Sequence, residues 1–171
     1  LLEEAIKSGA DIRQVFLCGD IQVEIPKGVK VFSVTREVIE AVSPLKTPQP
    51  VVFSVGMAQK DLQGDIKKSI ILENIQDPGN MGTVIRTANA FGIKDVILTG
   101  ACEDPWIPKA VRATMGAAFR QRIREMTLDE IACAGKEVPI YGAALSQKAR
   151  DVREIDLSEC AVAIGSEGRG L

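Results

Sequence analysis

The apolar positions of this chain fall into short runs separated by turn residues, and the spacing within each run predicts an element. Residues 1–7 read as the end of a helix closed by Ser8-Gly9. Residues 12–18 and 29–33 read as strands, the first stopped by Gly19-Asp20. Thr35 or Ser33 suits the N-cap of a helix over residues 36–42. Residues 43–50 carry Pro44, Pro48 and Pro50, which rules out helix there, and residues 51–55 are an apolar strand. This alternation predicts a small α/β unit.

Residues 57–68 are charged, contain Gly64 and break the apolar period. They are the expected linker between a first domain, residues 1–56, and a second, residues 69–171. The second opens on a buried strand at residues 69–72. A turn follows over residues 77–80, with Asn80 as the expected cap of a helix. Met81, Val84, Ile85, Ala88 and Phe91 fall on one face of that helix, and Gly92 ends it. Strands at residues 95–98, 138–143 and 161–164 and helices at residues 108–118 and 128–134 complete the pattern. Strands alternating with helices imply a mostly parallel sheet covered on both faces, with ligands beyond the carboxyl ends of its strands.

Composition narrows the chemistry. The chain has 171 residues, 46% hydrophobic and 26% charged, enough for one ordinary domain or two small ones. No apolar run approaches the ~18 residues of a membrane span, and Leu1-Leu2-Glu3-Glu4 reads as an acidic helix rather than a secretory leader. The chain opens on Leu1 rather than Met, so residues are expected upstream. Cys18, Cys102, Cys133 and Cys160 show no C-x-x-C spacing and read as small buried groups of a cytoplasmic protein. There is no histidine, so no Ser-His-Asp or Cys-His hydrolysis and no metal centre is expected from these residues.

The net charge of −2 does not advertise nucleic-acid binding, so any basic surface must be local. Lys109, Arg112, Arg120, Arg122 and Arg124 lie in a stretch with no acidic residue. That stretch is either a phosphate-binding surface or a solvated helix face.

Two segments carry the candidate chemistry. In the first, Asn80-Met81-Gly82 opens the helix and Arg86 stands away from the apolar stripe. Gly79 and Gly82 leave room for a group to approach the backbone. A helix start with an amide and an arginine suits a phosphate or an attacking hydroxyl; the plainer reading is a cap and a solvated arginine. In the second, Gly165-Ser166-Glu167-Gly168-Arg169-Gly170 follows a buried strand. Its glycine order, G-x-x-G-x-G, differs from the dinucleotide fingerprint G-x-G-x-x-G. Glu167 can accept hydrogen bonds from a ribose or hold Arg86; the plainer reading is a surface turn.

Taken together, Asp77-Pro78-Gly79-Asn80-Met81-Gly82 with Arg86-Thr87-Ala88 and Phe91-Gly92, and Gly165-Ser166-Glu167-Gly168 with Gly170-Leu171, resemble motifs one and two of the SpoU/TrmH family of knotted RNA methyltransferases. Pro108 to Ala117 is similar to the segment between them. Residues 1–56 resemble the family's small substrate-binding domain, with Thr47-Pro48-Gln49 at the handover.

The resemblance implies a parallel-sheet α/β methyltransferase domain of the trefoil-knot type. Its knot-forming third motif, of the Ser-Leu-Asn-Val-Ser kind, is expected beyond Leu171. It implies transfer of the methyl of S-adenosylmethionine to an RNA ribose 2'-hydroxyl by a homodimer, with ribosomal RNA the first choice of acceptor and tRNA the second. Arg86, Asn80 and Glu167 become the catalytic candidates. Leu145, Ile164, Gly165 and Gly168 become the cofactor contacts, and Lys109, Arg112 and Arg120 the RNA contacts. Two other classes stay open: a non-catalytic RNA-binding protein on the same fold, and a nucleotide-binding oxidoreductase, which the glycine order disfavours.

Overall fold

The computed structural model describes residues 1–57, 64–147 and 149–171. Half of the expected linker, residues 58–63, lies outside the described residues. The chain divides into two compact units, Leu1–Gln59 and Lys60–Leu171.

The first unit is a three-stranded sheet with two short helices. Helix α1 (Leu2–Lys7) leads to β1 (Ile12–Leu17), which lies between β2 (Lys30–Ser33), parallel to it, and β3 (Val51–Val55), antiparallel. Leu2, Ala5, Ile12, Val15 and the Ile39 of α2 (Arg36–Val42) form its buried apolar set. Thr35 holds the N-cap position of α2, but its side chain makes no cap bond to the helix backbone. It bonds Glu37 instead, which holds that carboxyl below the usual glutamate range.

The second unit is a five-stranded, all-parallel sheet in the order β6-β5-β4-β8-β7. Its strands are β4 (Ser69–Glu73), β5 (Asp95–Thr99), β6 (Arg122–Glu125), β7 (Ile140–Ala143) and β8 (Ala161–Ile164). Side chains alternate along a strand, and each face buries its own set. Leu72, Val96 and Leu98 pack with Met81, Ile85 and Ala88 of α3 (Pro78–Ala90). Ile71, Ile97 and Ala161 pack with Ile131 of α5 (Leu128–Ala134). Chain order breaks at β4. The chain runs outward from β4 through β5 to β6, then crosses to the far edge to lay down β7 and β8 on the other side. In open α/β sheets the crevice at such a break, outside the carboxyl ends, is where ligands bind.

Several expectations need correction. Asn80 is not the cap of α3. Asp77 is, its Oδ1 accepting the Asn80 backbone N–H at 2.8 Å, with Pro78 in the first turn. Phe91 is 81% exposed and lies off the buried stripe, because the helix ends one residue before it. The helix expected over residues 108–118 is only α4 (Pro108–Ala113). Met115 and Gly116 both take positive φ, 51° and 94°, which no helix continues through. Gly82 does not leave room for a ligand: a Cβ there would stand 2.5 Å from the Ala113 Cβ and 2.6 Å from the Ala110 carbonyl. Its missing side chain lets α4 close on α3. Cys133 is exposed rather than buried.

The basic stretch is corrected most. It is neither one helix face nor one surface, because its end forms β6. Arg124 is 5% exposed, and its guanidinium donates to Asp95 Oδ2 at 3.2 Å. The same group donates to the carbonyls of Asp65 at 3.0 Å and Gly64 at 3.2 Å. Arg122 Nε lies 3.0 Å from the other oxygen of Asp95, which is fully buried. Replacing one member of such a pair leaves the other charge buried and uncompensated. Asp95→Asn should therefore lower unfolding stability by about 3–5 kcal/mol in urea titration, whereas Asp95→Leu with Arg124→Met should recover most of the loss. An Asp95→Asn protein as stable as the parent would refute this role.

Candidate active site

Three loops meet at the carboxyl edge where strand order breaks. The first, Asn74 to Asp77, leaves β4. Asn74 takes φ 56°, a conformation asparagine tolerates better than most residues. Its Oδ1 accepts the Ala101 N–H at 2.8 Å, and its own N–H donates to the Thr99 carbonyl at 3.3 Å. The second loop, after β5, is further tied by the Glu103 N–H, which donates to the Ile75 carbonyl at 2.8 Å. The third leaves β8. There the Gly170 N–H donates to the Ser166 carbonyl at 2.8 Å, and a bridge pairs Ser166 with Gly170. A side chain on Gly165 would overlap the Gly170 carbonyl, so only glycine permits this fold-back.

Because Asp77 caps the helix, the Asn80 side chain is released for another task. Its Nδ2 donates to Glu167 Oε1 at 2.5 Å, joining residues 87 positions apart. Asn74, Gln76, Asp77, Asn80, Glu167 and Gly168 are among the residues that line a cavity of about 320 Å³ here. The Asp77 carboxyl is held below the ordinary aspartate range, first by the Asn80 N–H and then by the nearby charge of Lys109. A depressed pKa means the cap contributes fully above the unfolded aspartate value. Its contribution fades as pH falls through the lower folded value.

The predicted site residues separate into groups. Asn80, Glu167 and Gly168 come together at the cavity. Arg86 is exposed further along α3 and does not line it; among the described residues the side-chain partner of Glu167 is Asn80, not Arg86. Leu145 and Gly165 follow the adjacent ends of β7 and β8, where Ala143 pairs with Ile164. Leu145 is fully exposed and Ile164 partly buried. Lys109 lies 3.5 Å from Asp77 Oδ2. Arg112 is exposed, and Arg120 makes a long 3.5 Å bond to Asn89 Oδ1. Sequence reasoning missed Asn74, Gln76 and Asp77. A signal for two of them was present: asparagine just after a strand suits a positive φ, and aspartate before proline suits a cap. Among the described residues no group of His, Cys, Asp and Glu is arranged to hold a metal, and no helix is long and apolar enough to cross a membrane.

A parallel sheet whose chain order breaks beside two joined polar loops defines a ligand-binding α/β domain. A model of the SpoU rRNA methylase family matches residues 67–171, and the chain belongs to that family. It is 30% identical over 178 residues to a 23S rRNA guanosine 2'-O-methyltransferase of Bacillus subtilis, covering 100% of this chain and 70% of the relative. It is 35% identical over 136 residues to the human mitochondrial rRNA methyltransferase 3, covering 72% of this chain but 32% of that protein. The fold superposes on a TrmH-family protein from Porphyromonas gingivalis with TM-score 0.85 and 27% identity, over 100% of this chain and 71% of that one. An AdoMet-bound rRNA methyltransferase from Sinorhizobium meliloti gives TM-score 0.81 at 30% identity, over 98% and 68%.

The Asn80–Glu167 bond is the joint between the first and third loops. Asn80→Asp would place two carboxylates in contact at neutral pH and push the loops apart. Hydrogen exchange at the Gly170 amide should then accelerate several-fold. Adding Glu167→Gln, which restores a donor and an acceptor, should slow it again. Exchange unchanged in the single variant would show that the joint does not hold the loop.

Proposed function

We propose that this chain carries the catalytic unit of an S-adenosylmethionine-dependent RNA ribose 2'-O-methyltransferase acting on ribosomal RNA. The observation that supports it most directly is the Asn80–Glu167 bond. It joins the two family motifs around one cavity at the carboxyl edge of a parallel sheet. The relative in Bacillus subtilis, named for 2'-O-methylation of 23S rRNA, favours rRNA over tRNA as acceptor.

The residues present fit the cofactor. Gly168 borders the cavity with open space where a Cβ would stand, and Leu145 offers an uncovered apolar surface beside the end of β8. Leu145, Ile164, Gly165 and Gly168 would hold S-adenosylmethionine, which supplies an activated methyl group when bound. The protein's own work is alignment and stabilisation of charge. Asn80 keeps Glu167 in place, and the second carboxylate oxygen of Glu167 accepts a hydrogen bond from the acceptor ribose. Arg86 acts as a fixed positive charge, since a guanidinium does not give up its proton at neutral pH. It would bind a neighbouring phosphate and steady the negative charge that develops on the 2'-oxygen as the hydroxyl proton is released to solvent. Its exposure outside the cavity fits a site completed by a second copy of the chain in a homodimer. The unit Leu1–Gln59 serves as the RNA-binding domain, and Lys109, Arg112 and Arg120 add phosphate contacts.

The test is methyl transfer from labelled S-adenosylmethionine to ribosomal RNA by the full-length protein, followed by alkaline hydrolysis. A ribose methyl leaves an alkali-resistant dinucleotide. Label recovered on a base, or none above background, would overturn the reading. Arg86→Ala should slow single-turnover transfer about 10²–10³-fold, by analogy with loss of an oxyanion donor. Melting should hardly change, because the side chain fills no core space. Near-normal transfer would remove Arg86 from the mechanism. Arg112→Ala should weaken RNA binding and flatten its salt dependence by about one unit of slope. An unchanged slope would return Arg112 to the solvated surface.

A further inference from the structure

The polar groups that line the cavity beside Glu167 divide into those already engaged and those left over. Two carboxylates line it, and both are engaged. Asp77 Oδ1 accepts the Asn80 N–H at 2.8 Å, and its Oδ2 lies 3.5 Å from the Lys109 ammonium. Glu167 Oε1 accepts from Asn80 Nδ2 at 2.5 Å.

Two donors are left over. Asn74 is held by its acceptor end, because Oδ1 takes the Ala101 N–H at 2.8 Å and only the carbonyl end of an amide can accept. That bond fixes which way the amide points. Its Nδ2 has no partner among the described residues, yet it is not sealed from solvent, and both Asn74 and Ala101 line the cavity. Arg169 stands two residues beyond Glu167 in the loop after β8. Its backbone N–H donates to Ser166 Oγ at 3.3 Å, inside the turn that the Gly170 N–H closes on the Ser166 carbonyl. Its guanidinium has no partner among the described residues, and of the residues that line the cavity Arg169 alone is cationic.

An amide N–H2 group and a guanidinium together suit an oxyanion. A phosphate of the RNA and the carboxylate of the cofactor are the two sources. Leu145, Ile164 and Gly165, three of the four residues assigned to the cofactor, do not line this cavity, which favours the RNA. Ribose chemistry favours it too, since the carbon bearing the 2'-oxygen adjoins the carbon bearing the 3'-phosphate. A ribose whose 2'-hydroxyl meets Glu167 brings that phosphate beside the loop that carries Arg169.

We propose that Asn74 and Arg169 form a subsite for the RNA phosphate on the 3' side of the ribose being methylated. Arg169 supplies the charge, and Asn74 Nδ2 supplies a donor of fixed direction. The inference rests on the methyl-transfer reading, which puts the ribose on Glu167.

The probe is a ribosomal RNA oligonucleotide that ends at the nucleotide methylated by the full-length protein. It is made with a terminal 3'-phosphate or a free 3'-hydroxyl, and both forms are titrated into that protein. The phosphate should tighten binding roughly tenfold, the scale of one charge-assisted contact. With Arg169→Ala the gain should shrink to about twofold or less, the coupling that a double-mutant cycle reads. Asn74→Asp keeps an acceptor for the Ala101 N–H and tolerates the positive φ, but turns a carboxylate oxygen toward the phosphate. It should bind the phosphate form no better than the hydroxyl form, with a melting temperature near the parent's. No gain from the phosphate in the parent, an undiminished gain in Arg169→Ala or a parent-like gain in Asn74→Asp would overturn the proposal. So would an Arg169→Ala protein that keeps the phosphate gain and loses affinity for S-adenosylmethionine, which would assign the subsite to the cofactor carboxylate. Ribose methylation without the phosphate gain removes the subsite alone, whereas absence of ribose methylation removes the methyl-transfer reading and the subsite with it.

Discussion

The position of β4 constrains everything else in the larger unit. It pairs in parallel with β5 on one side and β8 on the other, Ser69 standing opposite both Asp95 and Ala161. Parallel strands need crossovers rather than hairpins, so each strand is followed by a chain that leaves at the same edge. The loops after β4, β5 and β8 are thereby delivered to one place from distant parts of the sequence. The register does the rest, because a slip of one residue would turn Leu72 and Ile71 to each other's faces and empty both cores.

The two ends of this sheet do different work. At the amino end, buried charge is compensated. Asp95 receives Arg122 and Arg124, and the same Arg124 guanidinium holds the carbonyls of Gly64 and Asp65. That network ties the segment entering the unit to the edge strand β6. At the carboxyl end, polar groups stay at the surface and are held by single bonds such as Asn80–Glu167. The rigid end consumes its cations internally. The Asp77 cap leaves the Asn80 side chain to make that bond.

Much of this was legible in the apolar pattern. The strands at residues 51–55, 95–98 and 161–164 and the helices at residues 36–42 and 128–134 stand close to where the structure has them. They are long enough, or apolar enough, for the pattern to dominate local detail. Strand β6 was not legible: Arg122-Ile123-Arg124-Glu125 has one apolar residue, and it becomes a strand because Asp95 on the neighbouring strand takes its charges. The early end of α4 was hidden as well, since Met115 takes a left-handed conformation that composition does not announce.

The amino-acid sequence by itself determined the alternation of strand and helix, the two family motifs and the candidate polar residues within them. These depend on neighbours along the chain, where hydrophobic period, turn chemistry and motif spacing act. Only the tertiary structure decided which cations remain available, that Asn80 reaches Glu167 instead of capping its helix, and that Gly82 serves packing against α4. Each of these depends on groups far apart in the chain being brought within bonding distance, and only the pairing register of the sheet sets that distance.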